Sequence, residues 1–164
     1  MTTTTTVAIR RNTAVTASSL VDVPVLSLLR EEVPDGTLIF GFDPAVPVHE
    51  AWIFAADGDG TREVDQHLEH PFGLHTWVAK RVKIPDIDTG DETVGVRITL
   101  IDDEGETLTF VSVGIAASLD LIRTLRGDGP YQPVIPVIFK RVKTRRGFNT
   151  IKMRPVTTPV VKKK

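Results

Sequence analysis

The chain has 164 residues, 41% of them hydrophobic, with 20 Lys and Arg, 21 Asp and Glu, a formal net charge of −1 and no cysteine. That length and apolar content suit one domain with an appended arm, or two very small ones. The composition excludes a disulfide framework and a zinc–thiolate centre, and no apolar run approaches the roughly 18 residues of a membrane-spanning helix.

Residues 1–19 are rich in Thr, Ala and Ser and read as a mobile arm. Residues 1–6 lack a basic start followed by an apolar stretch, so no secretory signal is expected. A cytoplasmic location follows by default, in the host cell if the protein is viral. Residues 20–72 read as an N-terminal extension that packs on the rest. Within it, residues 26–32 have helical character and stop at Pro34-Asp35-Gly36, a turn signature. Residues 37–42 predict a short strand, and residues 50–55 are a second apolar strand candidate. Asp57-Gly58-Asp59-Gly60 predicts a turn, and residues 61–72 are polar and rich in His.

The pattern sharpens from Leu74. Residues 76–84 alternate, with Val78 and Val82 opposing Trp77, Arg81 and Lys83. An acidic loop follows, with Asp86, Asp88, Asp91 and Glu92. Residues 93–102 alternate again, with Val94, Val96, Ile98 and Leu100 opposing Gly95, Arg97 and Thr99. Asp102-Asp103-Glu104-Gly105 predicts a hairpin turn into a third strand over 107–114. The period then changes. Ile115, Leu119, Ile122 and Leu125 share one helix face, capped by Ser112 or Gly114 and ended by Gly127-Asp128-Gly129-Pro130.

The last stretch is basic. All 21 acidic residues precede Gly129, with ten of the 20 Lys and Arg, so that part carries −11 and the remainder +10. Ile135, Val137 and Phe139 alternate along one predicted strand. Ile151 and Met153 oppose Phe148, Thr150, Lys152 and Arg154 along the next. Thr144-Arg145-Arg146-Gly147 is a polar turn between them. Cations and an aromatic on one face suit a single-stranded nucleic acid, the cations meeting phosphates and the ring meeting bases. A solvated basic edge hairpin, guarded against aggregation, has the same appearance.

Three strands, a helix and two strands is the element order of a five-stranded Greek-key barrel, the OB-fold. The expected architecture is therefore mainly β: an OB-fold-like barrel over 73–157 with one helix between its third and fourth strands, the extension before it and a basic tail over 158–164. An open five-stranded sheet with one helix gives the same order.

The residues Asp103-Glu104-Gly105-Glu106, Phe110-Val111-Ser112-Val113-Gly114, Pro136-Val137-Ile138-Phe139-Lys140 and Lys143-Thr144-Arg145-Arg146-Gly147-Phe148 resemble small single-stranded-DNA-binding proteins of phages and mobile elements. The resemblance covers about residues 76–156. It departs from the bacterial housekeeping type, which ends in an acidic partner-binding tail, and from the usual charge of the loop between strands one and two. It implies a non-catalytic role in replication or recombination.

The expected binding residues are Trp77, Arg81, Lys83, Arg97, Lys140, Arg141, Lys143, Arg145, Arg146, Phe148, Lys152 and Arg154. Trp77 and Phe148 would stack bases; Phe110 and Phe139 read as core. The alternative is a small β-rich virion or assembly protein that self-associates through its basic hairpin. No enzyme is nominated: there is no phosphate-binding Gly-rich loop, and Ser112 and Ser118 have no His nearby in sequence. His67, His70 and His75 match no metal-ligand spacing, and Arg62 and Leu68 stand where a calcium loop needs Gly and Glu. No cofactor or metal is expected.

Overall fold

The computed structural model describes residues 23–43, 45, 47–57 and 70–156. The predicted arm, the turn after Asp57, His67 and the basic tail lie outside them. The elements run as a 3-10 turn (Val25–Leu29), β1 (Leu38–Phe40), α1 (Pro47–Asp57), β2 (Phe72–Leu74), β3 (Thr76–Pro85), β4 (Glu92–Ile101), β5 (Thr107–Val111), α2 (Val113–Arg126), β6 (Ile135–Lys143) and β7 (Asn149–Pro155). The described residues are mainly β, with two antiparallel sheets and two helices. One sheet has the order β1-β3-β4-β5 and the other β2-β6-β7.

β2 and β3 are almost one strand, interrupted at His75. Phe72 to Leu74 pair with Val137 to Ile135, whereas Thr76 to Pro85 pair with Ile101 to Glu92. At the break, the His75 amide donates to the Ile101 carbonyl and its own carbonyl accepts from the Tyr131 amide. One stretch of chain thus joins the two sheets and turns them toward a shared interior.

That interior takes Trp77 and Ala79 from β3, Ile98 and Leu100 from β4, Leu108 and Phe110 from β5, Val137 and Phe139 from β6 and Met153 from β7. Phe110 and Phe139 meet across the sheets, their centroids 5.0 Å apart. α2 adds Ile115, Ala116, Leu119 and Ile122. Its start is set by Ser112, whose hydroxyl accepts from the Ile115 amide, and its end by Gly127 at φ 84°.

The expected closed barrel does not form among the described residues. β5 pairs only with β4, and β7 only with β6. The first turn of α2 fills the gap. The Ser112 hydroxyl donates to the Ile151 carbonyl at 3.3 Å, and a Cβ on Gly114 would overlap that same oxygen. Glycine is needed there so that helix and strand can approach.

The stretch 50–55 is helix, not strand. An unbroken apolar run carries no period that separates the two. Here Pro47 begins the helix and Glu50 lies in its first turn, both favourable at a helix start. Trp52 and Ile53 of α1 pack on Leu38, Phe40, Phe42, Val78 and Ile101, the second face of the larger sheet. The helical stretch expected over 26–32 is shorter: the 3-10 turn ends at Leu29 and Arg30 is extended. Asp120 of α2 holds that turn by accepting from the Val25 and Leu26 amides at 2.7 and 3.1 Å.

Tyr131, the chain's one tyrosine, donates its hydroxyl to the Gly127 carbonyl at 2.6 Å. Burial, reinforced by the charge of Asp128, pushes its pKa up to about 12. The folded state therefore favours the neutral phenol. This contribution to stability is complete below the unfolded pKa of about 10 and is lost as pH rises through about 12. Tyrosinate absorbance should half-develop nearer 12 than 10 in the native protein, and at about 10 in urea.

Candidate nucleic-acid interface

The β6–β7 hairpin is built around its turn. The Thr144 amide donates to the Phe148 carbonyl at 2.7 Å and the Gly147 amide to the Thr144 carbonyl at 2.9 Å. Gly147 has φ 85°, a value that costs glycine least. The Phe148 amide donates to the Thr144 hydroxyl at 3.1 Å. The register then pairs Lys143 with Asn149, Val142 with Thr150, Arg141 with Ile151, Lys140 with Lys152, Phe139 with Met153 and Ile138 with Arg154.

Strand alternation sorts these residues. Ile135, Val137, Phe139 and Met153 face the core. On the opposite side Lys140, Lys152 and Arg154 are exposed, with half-buried Ile138, Val142 and Thr150 among them. Phe148 begins the same outward row and is 70% exposed. Arg145 and Arg146 are exposed at the tip, and Arg141 and Lys143 at the end of β6.

The electrostatics of this face are one-sided. Lys140 stands directly across from Lys152, an arrangement that opposes folding. Among the described residues, ion pairs engage Arg81, Lys83 and Arg123. None reaches Lys140, Lys143, Arg145, Arg146, Lys152 or Arg154. A row of solvated cations with no internal counter-charge is suited to a polyanion.

The larger sheet departs from expectation. Trp77 is fully buried, paired across β4 with Leu100. Its indole N–H donates to the Asp128 carbonyl at 2.8 Å, and the Arg123 guanidinium lies 4.7 Å from its ring centroid. It offers no stacking surface. Arg81 is also buried, at 5% exposure. It donates to the Leu28 and Arg30 carbonyls, both at 2.6 Å, and to Asp35 at 3.0 Å. Its charge anchors the N-terminal extension, so Trp77 and Arg81 leave the binding face. The cause is that Trp77, Ala79 and Arg81 line the inward side of β3, while Val78 lies beneath α1.

Lys83 is half-exposed and shared between Asp35 at 3.3 Å and Glu92 at 3.4 Å. The hydrogen bond from Arg81 holds the Asp35 carboxyl below the usual carboxylate range, and the hydrogen bond to Asp35 raises the Lys83 ammonium. Arg97 lies on the sheet's other face, opposite Lys80 and Val111. It lines a groove of about 460 Å³ with Lys83, Val82, Ile84, Thr109 and Val111. The expected residues therefore divide. Phe148 and the cations of β6, β7 and their turn form one patch, while Lys83 and Arg97 belong to the larger sheet.

Sequence reasoning passed over two features. One is the buried triad in which Arg123 binds Asp128 at 2.7 Å and Asp120 at 3.1 Å. The three-residue spacing of Asp120 and Arg123 along a helix was its visible signal. The other is a ring cluster of Phe42, His49, Trp52 and His75, with neighbouring centroids 4.5 to 5.5 Å apart. Among the described residues no group of His, Asp and Glu is placed to hold a metal. Nor is any helix there long and apolar enough to cross a membrane. No protein-family model, curated protein or solved structure matches this chain.

Proposed function

We propose that this protein binds single-stranded DNA without strong sequence preference, as an accessory to replication or recombination, and that the β6–β7 hairpin is its main contact. The observation that carries this reading is the exposed row of Lys140, Lys152 and Arg154, continued by Arg145, Arg146 and Phe148, with no carboxylate partner for its cations among the described residues. The element order from β3 to β7 also supports an OB-type module, opened between β5 and β7. In such modules the last hairpin is one of the loops that embrace an oligonucleotide. Nothing in this role requires catalysis.

A second reading rests on the carboxylates of the loop between β3 and β4. Asp86, Asp88 and Asp91 are exposed, and a neighbouring copy's basic hairpin would complement them in an assembly protein.

Fluorescence anisotropy with labelled oligo-dT decides between the two. If about six phosphates are met, the slope of log affinity against log salt should be about −4, a loss on the order of a hundredfold between about 50 and 200 mM salt. The Lys140/Arg141/Arg145/Arg146→Ala variant should fold and not bind. Absence of binding at micromolar protein, with polymers that grow with concentration, would sink the DNA reading and favour assembly.

A further inference from the structure

α1 covers the second face of the larger sheet at Val78 and Ile101. The groove of about 460 Å³ that Arg97 lines opens farther along that face. Its floor spans three strands. Ile84 of β3 and Val111 of β5 are 36% and 51% exposed. They converge over Gly95 of β4, where a Cβ would overlap Ile84 Cδ1 and lie 3.2 Å from Val111 Cγ1. Glycine leaves the two aliphatic side chains free to meet across the middle strand. Arg97 stands between Val111 and Lys80 in the register, and both cations are half-buried. An exposed aliphatic floor beside two cations fits an apolar side chain flanked by carboxylates.

The chain carries such a side chain. Ile87 lies in the loop between β3 and β4 and is 98% exposed. Asp86 and Asp88 flank it and Asp91 follows, all of them exposed. Ile87 does not reach the groove of its own chain, and burying it against a partner is favourable.

We infer that two copies form a twofold dimer, each loop seating Ile87 on the other copy's Ile84–Val111 floor and turning its carboxylates to Arg97 and Lys80. Complementary charge points to a second copy as the occupant. Pro85, the last residue of β3, itself lines the groove, so the loop that follows it lies next to the groove on each copy. A twofold axis through this region sets each loop against its counterpart groove, and the same surface serves on both sides. The inference uses no residue of the β6–β7 hairpin and does not depend on DNA binding.

Sedimentation velocity and light scattering on the full chain test it, with melting temperatures for each variant. Wild type should be a dimer that dissociates on dilution in the micromolar range, since two loop contacts make a small interface. High salt should weaken it. Ile87→Asp removes two buried side chains per dimer and should weaken association on the order of a hundredfold, with melting of the monomer unchanged. Val111→Asp should do the same from the groove side. A mixture of the two variants should recover a dimer weaker than wild type, because one copy keeps its groove and the other its loop. Variants that dimerise as wild type does, or that fail to complement each other, would overturn the inference. A dimer lost in Lys140/Arg141/Arg145/Arg146→Ala but kept in Val111→Asp would also overturn it and place the loop on the hairpin. A wild type that stays monomeric would overturn it and leave the groove to an acidic, apolar segment of another protein.

Discussion

Trp77→Ala is expected to destabilise the fold by about 3–5 kcal/mol, the range for emptying a large aromatic site. Trp77 has no exposed surface, and its indole N–H satisfies the Asp128 carbonyl. The loss combines transfer, cavity and an unmade hydrogen bond. Against a total stability of about 5–15 kcal/mol, a loss of that size displaces the urea midpoint strongly. A second measurement separates core from interface. The chain has two tryptophans, so Trp52→Phe isolates Trp77. Its emission should not be quenched when oligo-dT binds. Quenching on binding, with little loss of stability in Trp77→Ala, would return Trp77 to the binding face.

Arg123→Ala should cost a similar amount, about 3–5 kcal/mol, for a different reason. Arg123 is 2% exposed and does three things. It pairs with Asp128 and Asp120, donates to the Val23 carbonyl at 2.8 Å, and lies over the Trp77 ring. Removing it strands the Asp128 carboxylate in the interior, and an uncompensated buried charge carries most of the cost. One oxygen of that carboxylate, Oδ2, already has no hydrogen-bond partner. Arg123→Met with Asp128→Asn removes both charges and should recover part of the loss. Urea denaturation of both variants checks this. An Arg123→Ala variant within about 1 kcal/mol of wild type would show that the triad is held open to water.

Both substitutions bear on how the molecule is organised. The N-terminal extension and the β module are tied together by buried cations. Arg81 on β3 holds the carbonyls of Leu28 and Arg30, and Arg123 on α2 holds that of Val23. The basic residues before Gly129 are spent on internal architecture to that extent. Lys140, Lys143, Arg145, Arg146, Lys152 and Arg154 of the hairpin, by contrast, have no ion-pair partner among the described residues. The contrast is what makes the hairpin the candidate interface.

Local chemistry in the sequence was enough to determine β4, the hairpin, most of α2 and the start of β5, which ends at Val111 and not at Gly114 because the helix already begins at Val113. Val96, Ile98 and Leu100 mark by alternation the face of β4 that meets the main core. Ser112 and Gly127 delimit α2. Gly147 supplies the turn that aims Phe148 outward. Each of these depends on neighbours a few residues away, which the sequence displays directly. Tertiary structure alone decided the sidedness of β3, the helix at Pro47–Asp57 and the opening between β5 and β7. A period of two says that alternate residues face opposite ways but not which way is inward. On β3 both ways are apolar, because α1 covers Val78 as the main core covers Trp77. An arginine at position 81 looks solvated until the chain folds back to offer two carbonyls and Asp35. The barrel stays open because Gly114 lets the first turn of α2 sit against Ile151, in the place where β5 and β7 would have to meet.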